Sequence, residues 1–202
     1  MKKIIWLFLG IGFISCSDKK VKPIENNSVS DTVAKPVSVK TTDEKQLIVP
    51  GKSIGLTHLG QSAEILASLG RPDFSDAAMG KAWSSWYSKD GKKNELNIYT
   101  TYKDSEMKEK VIRLIRITSP EFKTEEGIAT GNSLHTIQNR YPKAVLIGKY
   151  KDTGESVEIY DAIDSGIAFE IKKANCISII VHETGKKATD EYITFHPDME
   201  RF

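Results

Sequence analysis

The sequence predicts an α+β fold in which two tandem units each consist of a short helix followed by an antiparallel β-meander. Gly60-Gln61-Ser62 precedes one short amphipathic stretch, and Gly131-Asn132-Ser133 precedes a second one. Each stretch is followed by apolar runs of strand length that are separated by residues typical of turns. Segregated helices and antiparallel strands in this order are typical of α+β domains.

Both predicted helices begin at a serine. Ser62 and Ser133 can accept hydrogen bonds from the unsatisfied backbone N–H groups of a first helical turn, and the apolar residues that follow lie three to four positions apart. The first helix is expected to end at Gly70 and the second just before Pro142, whose ring prevents continuation. Helices this short depend on packing against another element.

Strands account for most of the remaining apolar runs. They are predicted at residues 82–88, 95–102, 110–118, 145–150, 156–162, 166–172 and 176–182. The Asp90-Gly91 pair between the first two runs is a strong signal for a hairpin turn. Alternation along the last strand of each unit predicts that Ile112 and Leu114, together with Ile177 and Ile179, point inward.

The organisation of the chain is predicted to comprise four regions. Residues 1–15 form a signal peptide, residues 16–49 carry a lipidated cysteine and a disordered tether, and residues 50–123 and 124–202 form the two units. The tether is rich in Ser, Thr, Asn, Lys and Pro and contains no aromatic residue, a composition typical of disordered segments. Thr32 lies in an Asp-Thr-Val triplet and is a candidate O-glycosylation site.

The first residues indicate export and anchoring. Two lysines follow Met1, an apolar run over residues 4–14 is too short to span a bilayer, and Ser15 leads into Cys16. This arrangement resembles the lipobox signal of bacterial lipoproteins. The resemblance implies that Cys16 becomes the first residue of the mature protein and carries the lipid anchor, including palmitate, and Ser17 after it implies the outer membrane with the leaflet left open. The alternative is an ordinary cleaved signal.

The pattern of the first unit resembles the BamE (SmpA/OmlA) lipoproteins, because the Gly-x-Ser helix start is followed by Leu69-Gly70, Pro72 and a meander. The tandem arrangement over about residues 50–183 is similar to the β-lactamase inhibitory protein fold. Tyr141-Pro142 replaces the Leu-Gly-x-Pro ending in the second unit, and the disulfides of the inhibitors are missing. The resemblance implies a protein that binds another protein through a sheet face and catalyses nothing.

Composition narrows the chemistry further. Without residues 1–15 the chain has 27 basic residues against 27 acidic ones, which argues against a nucleic-acid partner. Cys176 is the one cysteine besides Cys16 and is expected to be a buried, inert thiol. The four histidines lack the spacing of a metal site, and no Gly-x-Ser-x-Gly motif occurs. No catalytic residue, metal or cofactor is predicted.

A contact patch is the predicted binding feature. If Ile112 points inward, then Arg113 points outward, and Tyr99 is placed on the outer face of the neighbouring strand. Trp86, Tyr99 and Arg113 are predicted to form the patch, because Trp, Tyr and Arg are enriched in interface hot spots. The alternative is that a tryptophan fills the core and Tyr99 covers the sheet.

The sequence therefore predicts a membrane-anchored lipoprotein that acts as a non-catalytic protein-binding module in the cell envelope, with another envelope protein as its partner. One alternative is a periplasmic hydrolase or carbohydrate-processing lipoprotein, which needs two carboxylates about 5 to 9 Å apart in one cleft. Another is a structural spacer of the envelope.

Overall fold

A computed structural model describes residues 43–191, 196 and 198–202. The predicted signal peptide, Cys16 and Thr32 lie outside the described residues. The strands are β1 (Leu47–Val49), β2 (Ser53–Ile54), β3 (Thr57–His58), β4 (Phe74–Ala78), β5 (Lys81–Tyr87), β6 (Glu95–Tyr102), β7 (Lys110–Ile117), β8 (Lys123–Thr124), β9 (Val145–Asp152), β10 (Glu155–Ala162), β11 (Ile167–Lys172), β12 (Asn175–His182) and β13 (Glu200–Arg201).

Nine of these strands form one antiparallel sheet in the order β13-β9-β10-β11-β12-β7-β6-β5-β4. Strands β4 to β7 are one meander and β9 to β12 are another, because each strand pairs with the next one along the chain. The two meanders meet where β12 pairs with β7, with Ile179 opposite Ile117 and His182 opposite Leu114. Residues distant in sequence therefore become neighbours at the middle of the sheet.

One face of this sheet carries the larger apolar core. Ile98, Ile115 and Phe169 from the sheet pack with Ile137 from the helix α1 (Leu134–Arg140). Ile48 joins them from a second, four-stranded sheet of order β3-β2-β1-β8. The opposite face carries a separate core.

That second core is built from aromatic and aliphatic side chains of the same strands. Trp83, Tyr99, Tyr150 and Ile180 are buried there, and Ala188 from the short helix α2 (Ala188–Glu191) packs onto them. Both faces of the central strands are thus covered by protein.

The predicted α+β class is wrong, because the described chain is mostly β-sheet. Besides α1 and α2, the helical segments are 3₁₀ turns at Glu44–Gln46, Ala63–Leu69 and Ile163–Ser165. Ser62 and Ser133 do cap helix starts, but the first helix is 3₁₀ and the second spans seven residues. Strands that carry no strong apolar signal, such as β4 with its row of exposed residues, enlarge the sheet.

Two irregularities in the strands overturn the predicted faces. The β11–β12 register shifts between Glu170 and Ile171, so that Ile177 packs against the second core and Ile179 lies in the larger one. The β6–β7 register shifts between Tyr99 and Thr100, so that Arg113 is the extra residue between Leu114 and Ile112. Ile112 and Leu114 consequently pack in the two different cores instead of on one inward face. A β-bulge reverses the alternation of side chains beyond it.

The beginning of the folded part also differs from the prediction. Leu47–Val49, placed in the tether by composition, forms β1, and Ile48 is buried in the larger core. None of the helices in the described part of the chain is long and apolar enough to cross a membrane.

Candidate functional site

The structure does not bring Trp86, Tyr99 and Arg113 together into the predicted patch. Trp86 packs against the larger core, whereas Tyr99 is 1% exposed in the core on the opposite face. Arg113 lies at the bulge, where its Nη2 donates to the backbone carbonyl oxygens of Tyr102 at 3.4 Å and Lys103 at 2.9 Å. Side chains alternate between the two faces along each strand. Trp86 pairs with Leu96 and not with Tyr99, so Trp86 and Tyr99 lie on opposite faces of the sheet.

Trp86 instead lines a cleft at one end of the sheet. The cleft has a volume of about 290 Å³ and lies between the end of β5, the start of β6 and the segment that follows β7. Its apolar wall consists of Trp86, Leu96, Ile117 and Phe122. The polar side chains that line it are Tyr87, Ser88, Asp90, Asn94, Glu95, Ser119 and Glu121.

Trp86 is held in a fixed position in this wall. Its indole Nε1 donates to the carbonyl oxygen of Gly70 at 3.1 Å, and its ring packs against the larger core. Gly70 ends the 3₁₀ helix with a φ of 74°, a conformation that glycine adopts readily. An aromatic ring that is already ordered before binding loses little entropy when a ligand contacts it.

Carboxylates form the rim of the cleft. Asp90 Oδ1 accepts hydrogen bonds from Ser88 Oγ at 2.7 Å and from the backbone N–H of Lys92 at 3.0 Å. These hydrogen bonds, the one from Ser88 first, lower the pKa of Asp90. Lys92 Nζ lies 3.4 Å from Asp90 Oδ2 and 3.6 Å from Glu121 Oε1, so one ammonium group is shared by two rim carboxylates.

Glu95 connects the cleft to a buried polar network. Its Oε2 lies 2.9 Å from Arg116 Nη1, and the same nitrogen donates to Asn97 Oδ1 at 2.6 Å. Asn97 in turn donates through Nδ2 to Ser85 Oγ at 2.8 Å. The orientation of Glu95 at the cleft is therefore set by side chains behind the sheet surface.

The network continues into the second meander. Arg116 donates to Glu170 Oε2 from Nε at 2.9 Å and from Nη2 at 2.7 Å. Ser178 Oγ donates to the same oxygen at 2.5 Å. Ser85, Asn97, Arg116, Ser178 and Glu170 stand on five consecutive strands of the sheet and are all buried. A fully hydrogen-bonded buried network of this kind fixes its side chains in place.

Burial beside this network shifts the pKa values of two neighbouring side chains. Burial, and next the negative charge of Glu170, raise the pKa of Tyr150 far above its usual range. The same two causes raise the pKa of Cys176 to about 12. Tyr150 and Cys176 are therefore a neutral phenol and a neutral thiol at physiological pH.

A second buried polar pair lies at the start of α2. His182 Nε2 is 2.9 Å from Asp161 Oδ1, and His182 Nδ1 is 3.1 Å from the carbonyl oxygen of Glu183. Asp161 Oδ2 accepts from the backbone N–H of Ala188 at 2.9 Å. The His182 ring therefore bridges the carbonyl oxygen of Glu183 to the carboxylate that anchors α2.

The carboxylate pair of the network does not have the form that a hydrolase needs. Glu95 and Glu170 both bind Arg116, and the Glu170 side chain is fully buried. A general acid or nucleophile must reach a substrate, and this geometry keeps Glu170 from doing so. Over the described ranges, no three His, Cys, Asp or Glu side chains cluster as metal ligands.

Sequence reasoning missed most of the cleft. Glu121 and Phe122 follow the last strand of the first meander and have no periodic signal of their own, while Glu95 was seen only as the start of a strand. The Asp90-Gly91 pair is the sequence feature that could have located the cleft, because a hairpin turn at 90–94 brings Asp90 beside the start of β6.

No protein-family profile, curated protein or solved structure matches this chain.

Proposed function

We propose that this protein is a lipid-anchored binding protein of the bacterial cell envelope, attached to the outer membrane through Cys16, which engages another envelope protein through the cleft beside Trp86. The signal-like start and the cysteine at its end support the anchor. The cleft supports the binding role, because it combines an apolar wall with a polar rim, as interface pockets do.

The observation that carries the proposal is the state of Trp86. This indole is anchored by Gly70 and lines an open cleft, whereas Trp83 is 3% exposed and its Nε1 lies 3.2 Å from Ser85 Oγ. Tryptophan in a pocket surrounded by polar groups is typical of a hot spot. Within its hairpin, Trp83 has a structural role and Trp86 a binding role.

Photo-crosslinking in cells tests the binding role. A benzophenone amino acid at Tyr87, which lines the cleft and is 37% exposed, is expected to crosslink one defined envelope protein. The same amino acid at the fully exposed Met79 is the matched control and is expected to give no such adduct. Trp86→Ala in the crosslinking background should abolish the adduct while circular dichroism stays unchanged.

Two outcomes count against the proposal. Equal adducts from positions 87 and 79, or an adduct that survives Trp86→Ala, would show that the cleft is not the binding surface. Turnover of a glycan or ester substrate that is lost on Glu95→Gln would favour the hydrolase alternative instead.

The anchor is tested separately. Wild-type protein is expected to fractionate with membranes and to carry acyl chains on an N-terminal Cys16, and Cys16→Ala is expected to lose both properties. Mass analysis that finds an unmodified mature terminus at another residue would contradict the anchor. The proposed binding role of the cleft would be unaffected.

A further inference from the structure

We propose that the cleft selects a protein segment in which a lysine or arginine stands beside an apolar side chain, and that Lys92 occupies the cation position until the segment binds. This inference rests on the proposed binding function and names the chemistry of the partner. It follows from the lining of the cleft and from the position of one ammonium group.

Charge is the first argument. Asp90, Glu95 and Glu121 line the cleft, and none of the described residues that line it is basic. The cations that contact these carboxylates are Lys92 and Arg116, and Arg116 is shared with a further carboxylate, that of Glu170. Glu170 is buried and does not line the cleft, so the charge at the mouth is set by the rim carboxylates Asp90 and Glu121, which share the one ammonium group of Lys92 and leave a net charge of minus one. A partner with a positive charge complements it, and an acidic partner is repelled.

Lys92 is the second argument, because it shows how an ammonium group fits the rim. Its Nζ lies within 4 Å of carboxylates from both sides of the cleft mouth, Asp90 and Glu121. The hydrogen bond that Lys92 donates to Asp90, followed by the charge of Asp90, raises the pKa of Lys92. The side chain is 60% exposed, so solvent screens these contacts and an incoming cation can replace them.

The apolar wall is the third argument, and it distinguishes a protein segment from a free cation. Trp86, Leu96 and Phe122 present carbon surface directly beside the carboxylates. A small inorganic cation would contact none of that surface. A lysine or arginine can lay its aliphatic stem along such a wall while its charged end meets the rim, and a neighbouring leucine can fill the remaining volume.

Peptide binding to the mature chain tests this directly. Cleavage before Cys16 leaves two tryptophans, Trp83 and Trp86, and fluorotryptophan labelling gives each its own ¹⁹F resonance. Three capped hexapeptides that share a leucine but carry Lys-Leu, Ser-Leu or Glu-Leu at the centre are titrated. The Lys-Leu peptide is expected to shift the Trp86 resonance with an affinity at least about tenfold above that of the Glu-Leu peptide, and the Trp83 resonance should stay unchanged.

Variants at the rim sharpen the test. Lys92→Ala should strengthen Lys-Leu binding about two- to fivefold, the range expected for removing one exposed competing ion pair. The double variant Asp90→Asn, Glu121→Gln should weaken it and remove its dependence on salt. The double variant Glu106→Gln, Glu109→Gln removes the same number of charges from exposed ion pairs with Lys108 and Lys103 away from the cleft lining, and as the matched control it should change nothing.

Each remaining outcome is decisive. Equal affinity for the three peptides, with the crosslink at Tyr87 retained, overturns the basic segment but leaves the binding function standing. Absence of both peptide binding and the crosslink overturns both proposals. Free lysine amide that binds as tightly as the Lys-Leu peptide shows a site for a small cation and contradicts a docking segment.

Discussion

Arg116 donates two hydrogen bonds to a single carboxylate oxygen of Glu170, across 54 residues of sequence. Arg116 belongs to β7 of the first meander and Glu170 to β11 of the second, with β12 between them. The ion pair therefore fastens the two meanders to each other on one face of the sheet, beyond the backbone bonds between β7 and β12. It also anchors Glu95, which lines the cleft.

Breaking this pair is expected to cost stability. Glu170→Gln removes the charge that neutralises a buried guanidinium, and loss of one member of a buried ion pair typically lowers the free energy of unfolding by about 3 to 5 kcal/mol. Urea denaturation followed by tryptophan fluorescence measures the loss. Lys108→Ala breaks the exposed pair with Glu106 and should cost less than about 1 kcal/mol. Equal effects of the two changes would contradict the structural role of Glu170.

Cys176 is expected to be unreactive in the folded protein. Burial, and then the nearby charge of Glu170, raise the pKa of its thiol to about 12, and the thiolate is the reactive form. Maleimide labelling of the mature chain should follow global unfolding in urea, with a rate in native buffer far below that of free cysteine. Cys176→Ala identifies the labelled site. Rapid native labelling at Cys176 would show that the strand opens locally.

Stability is expected to fall as the pH drops below about 6.5, the ordinary pKa of histidine. His196 stacks on Tyr150 with ring centroids 3.5 Å apart, and burial is the main cause that lowers its pKa. The unfolded chain therefore binds a proton at a pH where the folded chain does not, so acid favours unfolding, whereas above about 6.5 both states are neutral at this residue.

The check compares urea midpoints at pH 7.5 and 5.5. His196→Phe retains a ring against Tyr150 and should reduce the drop in stability between the two pH values. His58→Phe, at an exposed histidine, should leave the drop unchanged. A drop that is the same in wild type and in His196→Phe would assign the acid sensitivity to other groups.

Asp161 is expected to hold α2 on the sheet. Asp161→Ala removes the acceptor of the Ala188 N–H and the partner of His182 Nε2, which leaves two buried polar groups without that partner at about 1 to 3 kcal/mol each. Trypsin cleavage after Lys186 and Lys187 should accelerate, as measured by mass spectrometry. The exposed Asp164→Ala is the control, and unchanged cleavage in Asp161→Ala would contradict the anchoring role.

Local signals predicted the strands well and the arrangement of side chains poorly. The predicted strand at 95–102 coincides with β6, and Ser133 Oγ accepts from the N–H of Thr136 as a helix cap should. The bulge at Arg113 leaves no sequence signal, because it is set by the pairing of β7 with β6. That one extra residue places Arg113 at the bulge, whereas the alternation of side chains along β5 and β6 alone puts Tyr99 and Trp86 on opposite faces.

The sequence analysis named one residue of the candidate cleft and missed its neighbours. Trp86, one of the three predicted contact residues, lines an open cleft. Its neighbours Glu121 and Phe122 come from a segment about 35 residues later in the chain, and only the folded sheet brings them together. Pairing of Arg116 with Glu170 likewise depends on the meeting of β7 and β12.

Both faces of the central strands are covered by apolar cores, and the cleft mouth lies outside them, so its sequence can evolve separately. Asp90 and Lys92 stand on an exposed hairpin turn outside both apolar cores. Substitutions there alter the chemistry of the cleft mouth without disturbing the interior. The cleft mouth can therefore diversify among descendants of this chain while the scaffold that supports it stays the same.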